Sequence, residues 1–321
     1  MSNRSVLATI FCLISAGCGG GKEEGGKSGS NSDEKTVVID GSSTVFRISR
    51  AAAEAYQKVD SDVSVIVHNK GTGGGFGRYI KGECDIVDAS RPAKPAEEKD
   101  ASAAGMLPWT RYLVGYDGIT IVVHSKNDFV KTLTVAQLKA LFELGSKIKT
   151  WKDLDSSWPD RKITFFTPDN DSGTFEFFTE AINGTPKKQR KDVQPSSDDN
   201  QLVTGVANDV DAIGYFGYAY YAANKSKLKA VAVKKDDKAE AVLPSPATIL
   251  DKSYSPLARP LYIYVKNAAM ARPFFADFVG YYLENVASLA AAGGYVAPTA
   301  DDIAANKKAR ATSGPSAKPA S

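Results

Sequence analysis

The sequence predicts an α/β fold built on a parallel sheet. Short apolar runs alternate with stretches of helical periodicity, the pattern of strands joined by crossover helices. The polar, serine- and glycine-rich turns follow the apolar runs, so they fall where strands of such sheets end and ligands sit. The 321 residues are 43% hydrophobic and 24% charged, an ordinary globular balance, with length enough for two domains.

The elements are expected in this order. Residues 36–40 (TVVID) form a strand, then a helix follows with Val45, Ile48, Ala52 and Tyr56 on one face. Residues 63–69 form the next strand, followed by KGTGGG and a short helix from Phe76 to Ile80. Residues 84–90 form a strand leading into Arg91-Pro92, and 115–126 a long extended run. Residues 134–143 read as a helix capped by Thr134. Residues 161–168 are a strand, followed by a helix whose Phe175, Phe178 and Ile182 share one face and whose N-cap is Ser172. Residues 211–224 are aromatic and glycine-interrupted. Residues 259–267 form a late strand, followed by a helix through FFADFVGYYLENV. No internal repeat of fixed period occurs. Residues 301–321 are polar and end rich in Pro, Ser and Ala, and are expected to be a disordered tail.

The first 17 residues read as a signal peptide: Arg4, an apolar run from Val6 to Ile14, then small residues. The run is too short for a membrane span. Ser15-Ala16-Gly17-Cys18 resembles a lipobox, in which the cysteine is lipidated after cleavage. Ser15 stands where Leu is usual, so an ordinary cleaved signal is the alternative. Residues 18–35 have nothing apolar to bury after Cys18 and read as a flexible tether. Of Cys12, Cys18 and Cys84, only Cys84 lies in the folded region, so no internal disulfide and no cysteine-type zinc site are expected. With 40 basic and 37 acidic residues, the charge gives no sign of a nucleic-acid partner.

Four polar turns carry the chemistry: Ser42-Ser43-Thr44, Gly71-Thr72-Gly73-Gly74-Gly75, Ser90-Arg91 and Asp171-Ser172-Gly173-Thr174. Each alone reads as a helix cap, a tight turn or a surface ion pair. Together they offer hydroxyl donors, unobstructed backbone N–H groups, a guanidinium and a carboxylate. A tetrahedral oxyanion needs many donors around a small volume, and helix N-termini supply them. A carboxylate fits beside an anion that still carries a proton, as hydrogen phosphate does, and leaves fully ionised sulfate facing an unpaired charge. Asp171 is the first choice for that role; Asp40, Asp88 and Asp117 follow. No nucleotide P-loop, dinucleotide fingerprint or nucleophile elbow is present. His68 with a serine is the one hydrolytic pair to weigh, without an orienting acid.

These blocks, with YDGITIVVHSKND, LTVAQLKALFE and RPLYIYVKN, resemble the phosphate-binding protein of the high-affinity phosphate ABC transporter, collinearly from about residue 36 to about 285. The resemblance implies a periplasmic-binding-protein fold of type II. Two α/β lobes, 36–115 plus 259–300 and 116–258, are joined by a two-strand hinge near YDGITIVV and RPLYIYV. It implies phosphate binding by Ser43, Thr44, Thr72, Ser90, Arg91, Ser172, Gly173 and Thr174, with Asp171 added on proximity. It further implies no cofactor, no catalysis, a monomer, permease subunits of an ABC transporter as partners, and an extracytoplasmic place held by lipidated Cys18. Some family members carry Asp at the place of Arg91 and an arginine before the Ser-Gly-Thr turn, where this chain has Pro168. Arg47 stands where the family often has Pro. The alternatives are another oxyanion, such as sulfate, arsenate or molybdate, or a serine phosphatase or hydrolase using Ser43 or Ser172 with His68.

Overall fold

A computed structural model describes residues 35–170 and 172–313. The expected signal peptide, Cys18, nearly all of the tether, Asp171 and residues 314–321 lie outside the described residues.

The chain opens with β1 (Thr36–Gly41), α1 (Phe46–Tyr56), β2 (Ser64–Val67), α2 (Thr72–Ile80), β3 (Ile86–Ala89) and α3 (Pro95–Ala103). A long strand β4 (Trp109–His124) follows. Then come β5 (Thr132–Thr134), α4 (Val135–Phe142), α5 (Trp151–Leu154), β6 (Thr164–Pro168), α6 (Gly173–Phe178), β7 (Gln194–Ser196), α7 (Asp199–Asn208), β8 (Ala212–Gly217), α8 (Tyr218–Ala223), β9 (Leu228–Ala230), β10 (Ala232–Lys234) and α9 (Pro246–Leu250). The chain closes with β11 (Ala258–Lys266), α10 (Pro273–Glu284), α11 (Val286–Ala292) and α12 (Ala300–Thr312).

The strands pair in the order β2-β1-β3-β11-β4-β8-β6-β7, with β9 also on β4. β2, β1 and β3 are parallel in one half, and β8, β6 and β7 are parallel in the other. The sheet as a whole is mixed, because β11 and β4 run antiparallel to each other and to their outer neighbours. β4 belongs to both halves. Its residues Trp109–Gly118 pair with β11, and Ile119–Val123 pair with β8.

Each half has apolar packing on both sides of its strands, which is why the strands read as unbroken apolar runs. In the first half, Ile48, Ala52 and Tyr56 of α1 join Val37, Ile39, Phe278 and Tyr282 in one cluster. Phe76, Tyr79, Val87 and Tyr264 form another. In the second half, Phe175 and Phe178 of α6 are buried in one cluster with Ile182, which lies not on α6 but on the π-helical turn Thr179–Asn183 that continues it. Phe178 stacks on Tyr215 with ring centroids 3.8 Å apart, fixing α6 against the sheet. Val122, Leu202, Val206 and Phe216 form the cluster beneath α7.

The C-terminal segment corrects one expectation. Residues 300–312 are a helix, not part of a disordered tail. Thr299 caps it with Asp302 in a reciprocal capping box. It docks through polar groups more than through an apolar stripe. The buried Asn306 side chain donates to the Leu113 carbonyl at 2.7 Å and accepts from the Leu113 N–H at 3.1 Å. The Tyr116 hydroxyl donates to Asp302, and the Tyr112 and Ser313 hydroxyls meet at 2.9 Å.

Candidate functional site

The polar turns converge because β1, β3 and β6 all end at the same edge. Asp40, fully buried at the end of β1, organises the first of them. Its carboxylate accepts from the N–H groups of Gly41 and Lys70 and from Arg78 at 2.6 Å, tying the β1–α1 turn to the β2–α2 turn. Gly41 has φ +147°, and a Cβ there would stand 2.0 Å from the Asp88 carbonyl oxygen, so this position admits only glycine. Ser42 then accepts from the N–H groups of Thr44 and Val45. Ser42 thus holds the turn ahead of the helix, and the hydroxyls of Ser43 and Thr44 are left for other work.

Ser42, Ser43, Thr44, Thr72, Ser90, Arg91 and Gly173 line one cleft of about 540 Å³ between the two halves. The Thr72 and Ser90 hydroxyls lie 3.2 Å apart, and Thr72 also accepts from the Ser90 N–H. Six of the nine predicted site residues thus face one space. Ser172 and Thr174 are buried beside it without lining it. Ser172 caps α6, accepting from the N–H groups of Thr174 and Phe175. Gly173 marks the meeting of the halves: a Cβ on it would lie 2.5 Å from both the N and the Oγ1 of Thr44.

The charges are placed differently from the sequence expectation. The Arg91 guanidinium lies at the cleft but is held by Glu97 through both nitrogens, at 2.8 and 2.7 Å. Burial alone would raise the Glu97 carboxyl, but the bonds from Arg91 and from the Lys94 N–H outweigh it and hold the carboxyl low. A second guanidinium, unforeseen in the sequence, stands in the cleft. Arg259, the second residue of β11, packs 3.6 Å from the Phe177 ring centroid. It donates to the Thr44 hydroxyl at 2.8 Å and to the Ser90 hydroxyl at 3.1 Å. Asp117, on the paired position of β4, faces it at 3.5 Å. Burial raises the Asp117 carboxyl, and Arg259 opposes that rise.

None of the secondary carboxylates lines the cleft: Asp40 is held by Arg78, Asp88 accepts from Ser49, and Asp117 lies behind Arg259. Glu176 and Glu180 of the second half line it instead. Glu176 accepts from the Ser43 hydroxyl across the cleft at 3.2 Å and has Lys187 at 3.7 Å. Arg47 also bridges the halves, reaching the nearly buried Asp199 of α7 at 3.6 Å. His68 is not among the cleft residues, and the His124 Nδ1 accepts from the Lys126 N–H.

A periodicity of four residues in α6 already placed Glu176 one turn past Ser172, so it was findable. Arg259 carried no such signal, because only the register of β11 on β4 brings it to the cleft.

The model of the PBP superfamily domain matches residues 26–286. This chain belongs to the PBP superfamily. Relatives of this PBP chain agree with it over most of their length. The phosphate-binding protein PstS of Staphylococcus aureus is 38% identical over 286 residues, 89% of this chain and 84% of that protein. Among solved structures, a possible phosphate binding protein from Planctomyces limnophilus superposes with a TM-score of 0.83 at 40% identity, covering 87% of this chain and 98% of that one. An ABC-type phosphate transport receptor from Vibrio cholerae gives 0.64 at 25% identity, covering 82% and 100%. The two halves around one cleft are thus the two-lobe architecture expected of a PBP member.

Proposed function

We propose that this protein is a receptor that captures inorganic phosphate outside the cytoplasm and delivers it to the permease subunits of an ABC transporter. One observation carries the reading. Four hydroxyl-bearing residues, Ser43, Thr44, Thr72 and Ser90, converge with guanidinium groups in one cleft, in a chain whose relative at 38% identity is named a phosphate-binding protein. Hydroxyl and guanidinium donors in a partly dry site suit a tetrahedral oxyanion. Gly173 supplies the second lobe's contact with the first, and Ser172 and Thr174 form the turn that carries it. Arg91 holds the rim with Glu97.

The mechanism is motion without bond chemistry. Lobe 1 is residues 36–115 with 259–312, and lobe 2 is 116–258. The ligand's contacts with both lobes favour closure about β4 and β11. Glu176, whose carboxylate already accepts from the Ser43 hydroxyl, joins Asp171 as a candidate to accept a hydrogen bond from the P–OH of hydrogen phosphate. Cys18, lipidated, tethers a monomer to the membrane surface. Mass spectrometry of the purified N-terminus checks the anchor, with a diacylglyceryl mass on Cys18 expected.

The deciding experiment is calorimetric titration of the protein, stripped of bound anions, with phosphate and then sulfate at neutral pH. One-to-one phosphate binding at about micromolar or tighter Kd, near −8 kcal/mol, is expected. Equal binding of sulfate overturns the proton-accepting carboxylate, and binding of neither anion overturns the receptor reading. Steady hydrolysis of a phosphate ester would return the enzyme alternative.

A further inference from the structure

We propose that Arg259 supplies the positive charge that holds the anion, and that it fixes the hydroxyls of Thr44 and Ser90 as donors toward it. The inference deepens the phosphate reading and rests on it. Arg91 is the guanidinium that sequence order suggests, but both of its terminal nitrogens are engaged by Glu97. A carboxylate that takes the whole fork leaves little of it for a second anion. Arg259 has no such bidentate partner. Asp117 faces it at 3.5 Å, a charge contact longer than a good hydrogen bond.

The geometry gives Arg259 three functions at once. First, its side chain is 13% exposed and covered by the face of Phe177 at 3.6 Å, so its field is weakly screened by water. Second, its fork spans two turns. One nitrogen donates to Ser90 at the end of β3 and another to Thr44 at the start of α1. A hydroxyl that accepts from a guanidinium has its own O–H left to donate elsewhere. Ser90 in turn meets Thr72 at 3.2 Å, so the ordering reaches a third hydroxyl. The anion thus meets a set of hydroxyls polarised from behind, with no reorientation needed. Third, Arg259 touches both lobes. Thr44 and Ser90 belong to the first, whereas Phe177 and the Gly173 carbonyl, at 3.5 Å, belong to the second. Its backbone sits on the hinge strand β11, paired with Asp117 of β4. An anion that draws in the guanidinium draws on both lobes.

The competing account is that Arg259 only neutralises Asp117. A charge-balanced double variant separates the two. The full chain and three variants, Arg259→Met, Asp117→Asn and the double Arg259→Met/Asp117→Asn, are titrated with inorganic phosphate, with melting temperature and near-ultraviolet circular dichroism as folding controls. Arg259→Met is expected to weaken phosphate by at least about 100-fold, and Asp117→Asn by less than about tenfold. The double variant is expected to recover thermal stability and not affinity. Phosphate binding by the double variant within about threefold of the parent overturns the proposal, as does unchanged binding by Arg259→Met. If Arg259→Met fails to fold, Arg259→Lys decides. A point charge cannot reach Thr44 and Ser90 together, so a loss of at least about tenfold is expected, and unchanged affinity overturns the proposal. A parent chain that binds sulfate and no phosphate removes the ligand assignment instead, and the same chains titrated with sulfate then decide Arg259. A parent that binds neither anion removes both readings.

Discussion

At the scale of single residues, the cleft depends on one hydrogen atom and one carboxylate. Gly173 sits where a methyl group would press against Thr44 N and Oγ1 at 2.5 Å. Its own backbone is ordinary helix start, so alanine costs nothing locally and the strain falls on lobe contact. Gly173→Ala is expected to weaken phosphate by about tenfold or more with the melting temperature of the unliganded protein unchanged; calorimetry and thermal unfolding together check this. Glu176 is the carboxylate that reaches a cradle hydroxyl. Glu176→Gln keeps the shape but offers a donor where the ligand offers one. Phosphate affinity is expected to fall by about 10–100-fold while sulfate affinity rises, read as the ratio of the two Kd values. An unchanged ratio refutes the role assigned to Glu176.

At the scale of elements, the sequence was readable wherever apolar spacing drives the structure. Ile48, Ala52 and Tyr56 announced α1, and Phe175, Phe178 and Ile182 announced the helix after Ser172, because burial forces one face of each to be apolar. The turns at Ser43, Thr72 and Ser90 were readable because strand ends in this fold class share an edge. α12 escaped because it docks largely by polar pairing: Asn306, buried, satisfies both main-chain groups of Leu113. A composition rule sees Asn, Lys and Ala there and reports a tail. Asn306→Ala leaves a part-buried N–H and C=O of Leu113 unpaired, so a loss of roughly 1–3 kcal/mol is expected in denaturant unfolding, with phosphate affinity kept. Arg259 escaped for a different reason. Its place in the cleft comes from strand register across more than a hundred residues of chain, which no local pattern encodes. Arg91 reaches the cleft as its turn suggested, and what the sequence did not show is that Glu97 of the next helix holds its guanidinium.

At the scale of the whole molecule, the burial of charge sets a pH dependence. Burial pushes the Asp88 carboxyl up to about 8 from its ordinary 3.8; Ser49 donates against that rise and nearby Asp40 adds to it. The folded chain therefore keeps a proton that the unfolded chain has lost. Stability is highest at or below about pH 4 for this group and falls as pH rises to about 8, by at most about 1.4 kcal/mol per unit. Asp88→Asn is expected to flatten the unfolding free energy across that window, and a slope equal to the parent's refutes the assignment. The shared strand β4 has a further consequence. The sixteen residues of β4 give one lobe its pairing through Gly118 and the other from Ile119 onward, so neither lobe owns a finished sheet. A chain cut between the lobes exposes a raw strand edge on one of them, the kind of edge that recruits other chains. Two lobes with separate interiors must therefore be made and degraded as one indivisible object, and a ribosome that stalls before β11 releases a sticky fragment instead of one finished lobe.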